Sequence, residues 1–408
     1  MNNIQHQRLF DSFLGKPQHP HGAGKLKSIE AQRKPAPLDW LDQPLDLRET
    51  HRIASEEIDY AISPIFPAGR AALITGVGAS SKTTLLKLLA IAITTGRSVL
   101  GFSIPKTGKV VLVLAEDTAE DAYRSLDAIF QSMNLSAEEI ELVYKRLFIF
   151  AAAGKDCVIV SNANSEEDLA SKRLEKLIHF IKSLGDVRLV GLDPAIALSR
   201  GRELDEQAQH DFAKTVNNIA MDTKAAVLVI SHAAKSVQYQ QEVVSHASRG
   251  SGAITDAFRL EVLMRVMTSK EAKSFQINDA QRHRYVRMQV TKANALPPEL
   301  MQPAWLERVT GGTLKLVNIA PAAETRPRSA LELFFEIDQE TGELCPIPLS
   351  YSGWREKASK AGLLTGSNQS AQNMSATRLF DVLKKSLWIT EIGGDWRPTD
   401  EGVKSHLG

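Results

Sequence analysis

From residue 63 to 318 the chain alternates between two kinds of pattern. Short apolar runs rich in β-branched residues predict strands at Ala71–Thr75, Val110–Ala115, Leu147–Ala151, Leu189–Leu192 and Ala226–Ser231, with two more near Arg259–Val266 and Tyr285–Thr291. Between them, apolar positions recurring every three or four residues predict helices over Thr83–Thr95, Thr118–Asn134, Glu166–Leu184 and Glu206–Thr223. Strands that are apolar throughout, separated by amphipathic helices, require cover on both faces. The expected fold is therefore α/β with a mainly parallel central sheet, whose ligands bind beyond the carboxyl ends of the strands.

The pattern also divides the chain. Residues 1–45 are rich in Gln, His, Pro and Lys and read as a flexible arm ahead of a core at 46–319. Residues 320–328 (APAAETRPR) read as a linker. Residues 329–408 read as three helices followed by a hairpin, with strands at Trp388–Glu391 and Trp396–Pro398 and a turn at Gly393-Gly394-Asp395. That order predicts a small winged-helix-like domain. Residues 151–186 are longer than a minimal core needs, so an insertion is expected there.

Composition adds constraints. The 408 residues are 43% hydrophobic and 24% charged, which allows a large core. The formal net charge of +1 means that any nucleic-acid surface must come from local placement of Lys and Arg. Cys157 and Cys345 make neither a disulfide framework nor a metal cluster and suit a reducing cytoplasm, so a cytoplasmic location is expected. No apolar run reaches the ~18–20 residues needed to cross a bilayer, and no membrane partner is expected. The longest such run, Leu85–Thr95, contains Lys87 and reads as a buried helix.

The strongest chemical signal is Ala71–Thr84, AALITGVGASSKTT. A strand enters a loop of Gly76, Gly78, Ala79, Ser80 and Ser81, then Lys82, Thr83 and Thr84 open an apolar helix. This follows G-x-x-x-x-G-K-[ST], in which backbone N–H groups wrap phosphates, the lysine reaches the β and γ oxygens, and the hydroxyl serves Mg²⁺. ATP and Mg²⁺ are the expected ligands. Ser81 stands where glycine is usual, which leaves a degenerate, weakly binding loop as the alternative.

Three strand ends carry further candidates. Asp193 closes VRLVGLD, as a carboxylate for the metal or as an ordinary turn residue. Glu116 follows VVLVLA, where it could take the proton of an attacking water. The alternative is that Glu116 and Asp117 merely open the next helix, and Asp117 is read as a simple cap. His232 ends VLVISH, either sensing the γ-phosphate or serving structure.

Together GVGASSKTT, LAEDTAED, VGLDPAIAL, VISHAAK, SRGSGAITDAFR and VTKANAL resemble the RepA-type branch of the RecA-like hexameric P-loop ATPases, over roughly residues 64–318. The resemblance implies a RecA-like core and a ring-forming, hexameric self-assembly acting as a DNA helicase in replication of a plasmid, phage or genomic island. Single-stranded DNA and replication-initiation proteins are its implied partners. It also implies roles: Lys82 and Thr83 for phosphate and metal, Glu116 as catalytic glutamate, Asp193 as metal aspartate, and His232 as sensor. Arg249 matches an arginine finger supplied to a neighbour's site, and Lys292 a second basic group near the same phosphates. The competing readings are a solvent- or DNA-facing charge for each of these two, and an ATP-switched DNA-binding regulator or loader for the whole.

Three segments are candidates for holding DNA. The loop Ala233–Ser248, with Lys235 and Tyr239, suits backbone contact and stacking or is simply polar loop. Arg265, Lys270, Lys273, Arg282, Arg284, Arg287 and Lys292 stand against only Glu271 and Asp279, as a phosphate footprint or a solvated hairpin. Ser370–Lys385 is the best recognition-helix candidate.

Overall fold

The computed structural model describes residues 45–161, 167–200, 206–233, 252–294, 296–338, 344–366 and 368–407. The described strands are β1 (Tyr60–Ile62), β2 (Phe66–Pro67), β3 (Ala71–Gly76), β4 (Lys109–Leu114), β5 (Leu147–Ala151), β6 (Val160–Ser161), β7 (Val187–Asp193), β8 (Ser199–Arg200), β9 (Ala226–His232), β10 (Leu260–Val266), β11 (Tyr285–Ala293), β12 (Ala304–Arg308), β13 (Leu314–Val317), β14 (Phe335–Ile337), β15 (Leu344–Pro346), β16 (Ile389–Ile392) and β17 (Asp395–Pro398). Nine of them form one sheet in the order β13-β12-β11-β10-β3-β9-β7-β4-β5. The pairs β5–β4, β4–β7 and β7–β9 are parallel, and β11–β12–β13 is an antiparallel meander. The fold is α/β, with a large, mainly parallel central sheet. Among the described residues no helix is long and apolar enough to cross a membrane.

The described helices are α1 (Thr50–Ser55), α2 (Lys82–Thr95), α3 (Ala119–Met133), α4 (Ala137–Arg146), α5 (Glu167–Leu184), α6 (Ala195–Leu198), α7 (Glu206–Thr223), α8 (Gly252–Ala257), α9 (Ser269–Ser274), α10 (Ala322–Glu332), α11 (Tyr351–Lys360), α12 (Gln369–Lys385) and α13 (Asp400–Leu407). The expected strands and helices of the core all occur, with ends shifted by one or two residues. The short elements α4, β12 and β13 were not expected. Helix α4 is opened by a capping box in which Ser136 Oγ accepts from Glu139 N–H and the Glu139 carboxylate accepts from Ser136 N–H.

The chain forms two compact units. The first takes described residues 45–74, 85–232 and 252–261. Its core joins Leu73, Val111, Val190 and Val227 from the strands to Ile181 of α5 and Phe212 and Val216 of α7, all at most 1% exposed. Gly191 makes one close approach possible: a Cβ there would stand 2.6 Å from Leu112 and 2.9 Å from Leu86 of α2. A glycine at that point lets the helix lie directly on the sheet.

The second unit takes described residues 75–84, 233 and 262–407. Met267, Ala272 and Trp305 pack with Phe275 beside the meander. A separate cluster of Ala330, Leu331, Phe334, Trp354, Leu379, Phe380 and Leu383 binds α10, α11 and α12. Trp354 is fully buried, and its indole N–H donates to the Ala330 carbonyl at 2.9 Å.

The expected linker at 320–328 is helical from Ala322, in spite of Pro327. Pro321 occupies the N-cap position without a side-chain cap bond, and the buried Ala330 and Leu331 at the far end hold the helix against the cluster. Packing of an apolar face overrides a local breaker here. The expected hairpin is β16–β17, turning through Gly393 and Gly394 at φ 67° and 91°. Two left-handed residues in a two-residue loop match the twist of the flanking strands. A further hairpin, β14–β15, lies between α10 and α11 and was not foreseen. The proposed arm, residues 1–44, lies outside the described residues.

Candidate functional site

The loop after β3 is tightly determined. A Cβ on Gly76 would lie 2.2 Å from the Met264 carbonyl oxygen and 2.6 Å from Ser80 Oγ, so glycine is required. Gly78 faces open space, with nothing within 4 Å of an added Cβ. Ser80 is buried and donates to the Val77 carbonyl at 2.8 Å. Ala79 and Ser81 hold left-handed backbone, φ 59° and 65°, a conformation that costs a side-chain-bearing residue ~1–2 kcal/mol. Lys82 is 6% exposed, and its Nζ donates to the carbonyls of Gly76 at 2.8 Å and Val77 at 3.0 Å. Its ammonium therefore lies against the tip of β3. Lys82, Thr83 and Thr84 form the first turn of α2. A strand tip, an open glycine and a helix N-terminus with a lysine over it suit an anionic, phosphate-bearing ligand.

Arg308 of β12 also reaches this loop, across 227 residues of sequence. Its Nε donates to Ser81 Oγ at 2.8 Å, and one terminal nitrogen donates to the His283 carbonyl at 2.8 Å. The other terminal nitrogen donates to the Ala79 carbonyl. Nothing near Ser81 in sequence signals this partner.

Three of the other candidates share one edge. Glu116 follows β4, Asp193 ends β7 and His232 ends β9, and these three strands are parallel neighbours. Leu114 pairs with Asp193, and Ala115 N–H donates to the Asp193 carbonyl at 2.7 Å. Asp193 is 6% exposed, whereas Glu116 and His232 are exposed. A carboxylate held deep at a strand end suits a fixed metal ligand, and an exposed one suits proton exchange with water.

Asp117 is not the cap of α3. Thr118 is: its Oγ1 accepts from Asp121 N–H at 3.1 Å. Asp117 instead takes the ammonium of Lys87, which is 3% exposed and donates to Asp117 Oδ2 and Ser125 Oγ, both at 2.6 Å. A buried cation must find an anion, and Asp117, the second carboxylate after β4, supplies it.

Four arginines of the basic run at 265–292 are paired with carboxylates. Arg265 is 1% exposed and forks onto both oxygens of Glu271 at 2.6 Å. Burial alone would raise the Glu271 carboxyl, but the Arg265 fork and the Thr268 donors outweigh it and hold the pKa below the usual range. Arg287 also reaches Glu271 at 3.5 Å, Arg282 pairs with Asp279 at 3.2 Å, and Arg284 with Glu307 at 2.9 Å. The charge count in sequence included Glu271 and Asp279 but not Glu307, which comes from β12. Lys270 and Lys273 remain exposed. Lys292 lies half-buried in β11. Arg249 and the loop residues Lys235 and Tyr239 lie outside the described residues.

The model of the AAA domain family matches residues 32–238. Among solved structures, the crystal structure of the RadB recombinase is 16% identical, covering 62% of this chain and 93% of that one, with a TM-score of 0.40. A second solved structure, an ATPase domain, is 13% identical, covering 67% of this chain and 96% of that one, with a TM-score of 0.45.

Proposed function

The chain belongs to the AAA domain family, and from that membership we propose that it is an ATP-hydrolysing, ring-forming motor that moves along single-stranded DNA during replication of a plasmid, phage or genomic island. The observation that carries this reading is the row of Glu116, Asp193 and His232 at the ends of three neighbouring parallel strands, in a chain with a P-loop.

In this reading the loop from Gly76 to Thr84 receives the phosphates, with Lys82 supplying charge at their far end. The Thr83 hydroxyl and the Asp193 carboxylate would hold Mg²⁺, which would supply charge screening to the phosphate oxygens. Glu116 accepts the proton of the attacking water. His232 reports loss of the γ-phosphate to the loop that follows it. Arg249 enters a neighbouring subunit's site and Lys292 adds a second cation, which ties hydrolysis to assembly. Single-stranded DNA, further copies of the chain and replication-initiation proteins are its partners.

The test is ATP turnover by the full chain with and without single-stranded DNA. Lys82→Ala should abolish turnover, and Arg249→Ala should abolish turnover while ATP still binds. Absence of turnover in both conditions, with the protein folded and assembled, refutes the reading.

A second reading is an ATP-switched DNA-binding regulator or loader. The favouring observation is the separate cluster that carries α11, α12 and the β16–β17 hairpin, an order suited to a winged-helix-like domain with α12 as recognition helix. Sequence-selective duplex binding by the full chain, with no strand separation, would select it.

A further inference from the structure

We propose that Arg308 is a positioning residue for the phosphate loop, the counterpart that makes serine workable at position 81. The inference rests on the reading of that loop as a nucleotide site and names what sets its geometry.

A glycine at position 81 would take a φ of 65° freely, whereas a serine there is strained. The same is true of Ala79 at φ 59°. Two strained residues with one residue between them would relax to other conformations unless something outside the loop held them. Arg308 holds both. Its Nε bonds to the Ser81 side chain at 2.8 Å, and a terminal nitrogen of the same guanidinium bonds to the Ala79 carbonyl. The third nitrogen is anchored on the His283 carbonyl at 2.8 Å, just before β11. The Oγ that glycine lacks is thus the handle by which the meander grips the loop. Because the Ala79 carbonyl is taken by Arg308, the neighbouring backbone N–H groups keep their orientation. Those N–H groups are the donors that a triphosphate requires.

A rigid planar fork can reach three acceptors at once, and a lysine ammonium on a flexible stem cannot reproduce that geometry. The proposal therefore separates shape from charge. If Arg308 acts by positioning, Arg308→Lys fails to rescue Arg308→Gln. If it acts as a phosphate cation, Arg308→Lys rescues.

The experiment is calorimetric ATP binding to the full chain, with Arg308→Gln and Arg308→Lys each made in the parent and in a Ser81→Gly background. Arg308→Gln in the parent should weaken ATP binding about tenfold, as loss of charged hydrogen bonds implies. Arg308→Lys should lose nearly as much. In the Ser81→Gly background, where the strain at position 81 and the Oγ handle are gone but the bond to the Ala79 carbonyl remains, the Arg308→Gln penalty should shrink to about threefold or less. Equal penalties in both backgrounds, or full rescue by lysine, overturn the proposal. Thermal melts of every variant show whether it folds, and if Arg308→Gln does not, the two Arg308→Lys comparisons decide. Failure of the parent chain to bind ATP would instead refute the nucleotide-site reading.

Discussion

Replacing Lys87 by methionine tests the buried ion pair beside Glu116. Methionine keeps the apolar stem of the lysine and deletes its ammonium. Two hydrogen bonds of 2.6 Å are lost, one to the Asp117 carboxylate and one to Ser125 Oγ. Removing one member of a buried pair costs ~3–5 kcal/mol, because the other is left charged with no partner. The Asp117 side chain is 22% exposed, so water recovers part of that, and a loss of ~2–3 kcal/mol is expected. Replacing both partners, as Lys87→Met with Asp117→Leu, removes the stranded charge and should restore most of the stability. The assay is urea unfolding followed by far-UV circular dichroism, read on the transition of the unit holding both residues. ATP turnover should fall with Lys87→Met, since Asp117 adjoins Glu116 in sequence. A loss below ~0.5 kcal/mol in the single variant, or a double variant no better than the single, refutes the pairing argument.

Two further outcomes follow from geometry. Gly76→Ala places a methyl group 2.2 Å from the Met264 carbonyl oxygen, a backbone atom that cannot swing away. Stability should fall by ~3 kcal/mol or more in denaturant unfolding, with weaker ATP binding by calorimetry, whereas Gly78→Ala meets nothing within 4 Å and should cost far less stability. Asp59 is held at a pKa of about 2 chiefly by its hydrogen bonds from Arg188, assisted by Lys106. A depressed carboxyl stabilises the fold above its unfolded value of 3.8 and loses that contribution as pH falls from about 4 to about 2. With its side chain 45% exposed, solvent screening reduces the effect to ~1 kcal/mol. Asp59→Asn should flatten that part of the stability–pH profile, and an unchanged profile would refute the assignment.

The core strands were legible because each is a run of apolar residues with no competing pattern, as Val187–Asp193 is, buried at every position. Helix α4 was missed although Ser136 and Glu139 spell its capping box, because its ten residues bury only Val143 and show little apolar face. Helix α10 was misread because Pro321 and Pro327 dominate locally, while Ala330, Leu331 and Phe334 supply the packing that decides. The phosphate loop was legible from spacing alone. Arg308 was not, since its bond to Ser81 depends on the antiparallel meander bringing β12 back to the loop. The charge count left the run open between a phosphate footprint and a solvated hairpin, and it could not show that Arg265 is buried against Glu271, which is a property of folding.

Among the described residues the parallel side of the sheet ends at β5, whose sequence is LFIFA. Phe148 and Phe150 rest edge-on against Phe180 of α5, with ring centroids 5.9 and 5.2 Å away. Those rings cover one face of a charge-free ribbon at the border of the sheet, the kind of edge that can template another chain. Loosening α5 uncovers that apolar face, so heat-induced clumping should involve this border.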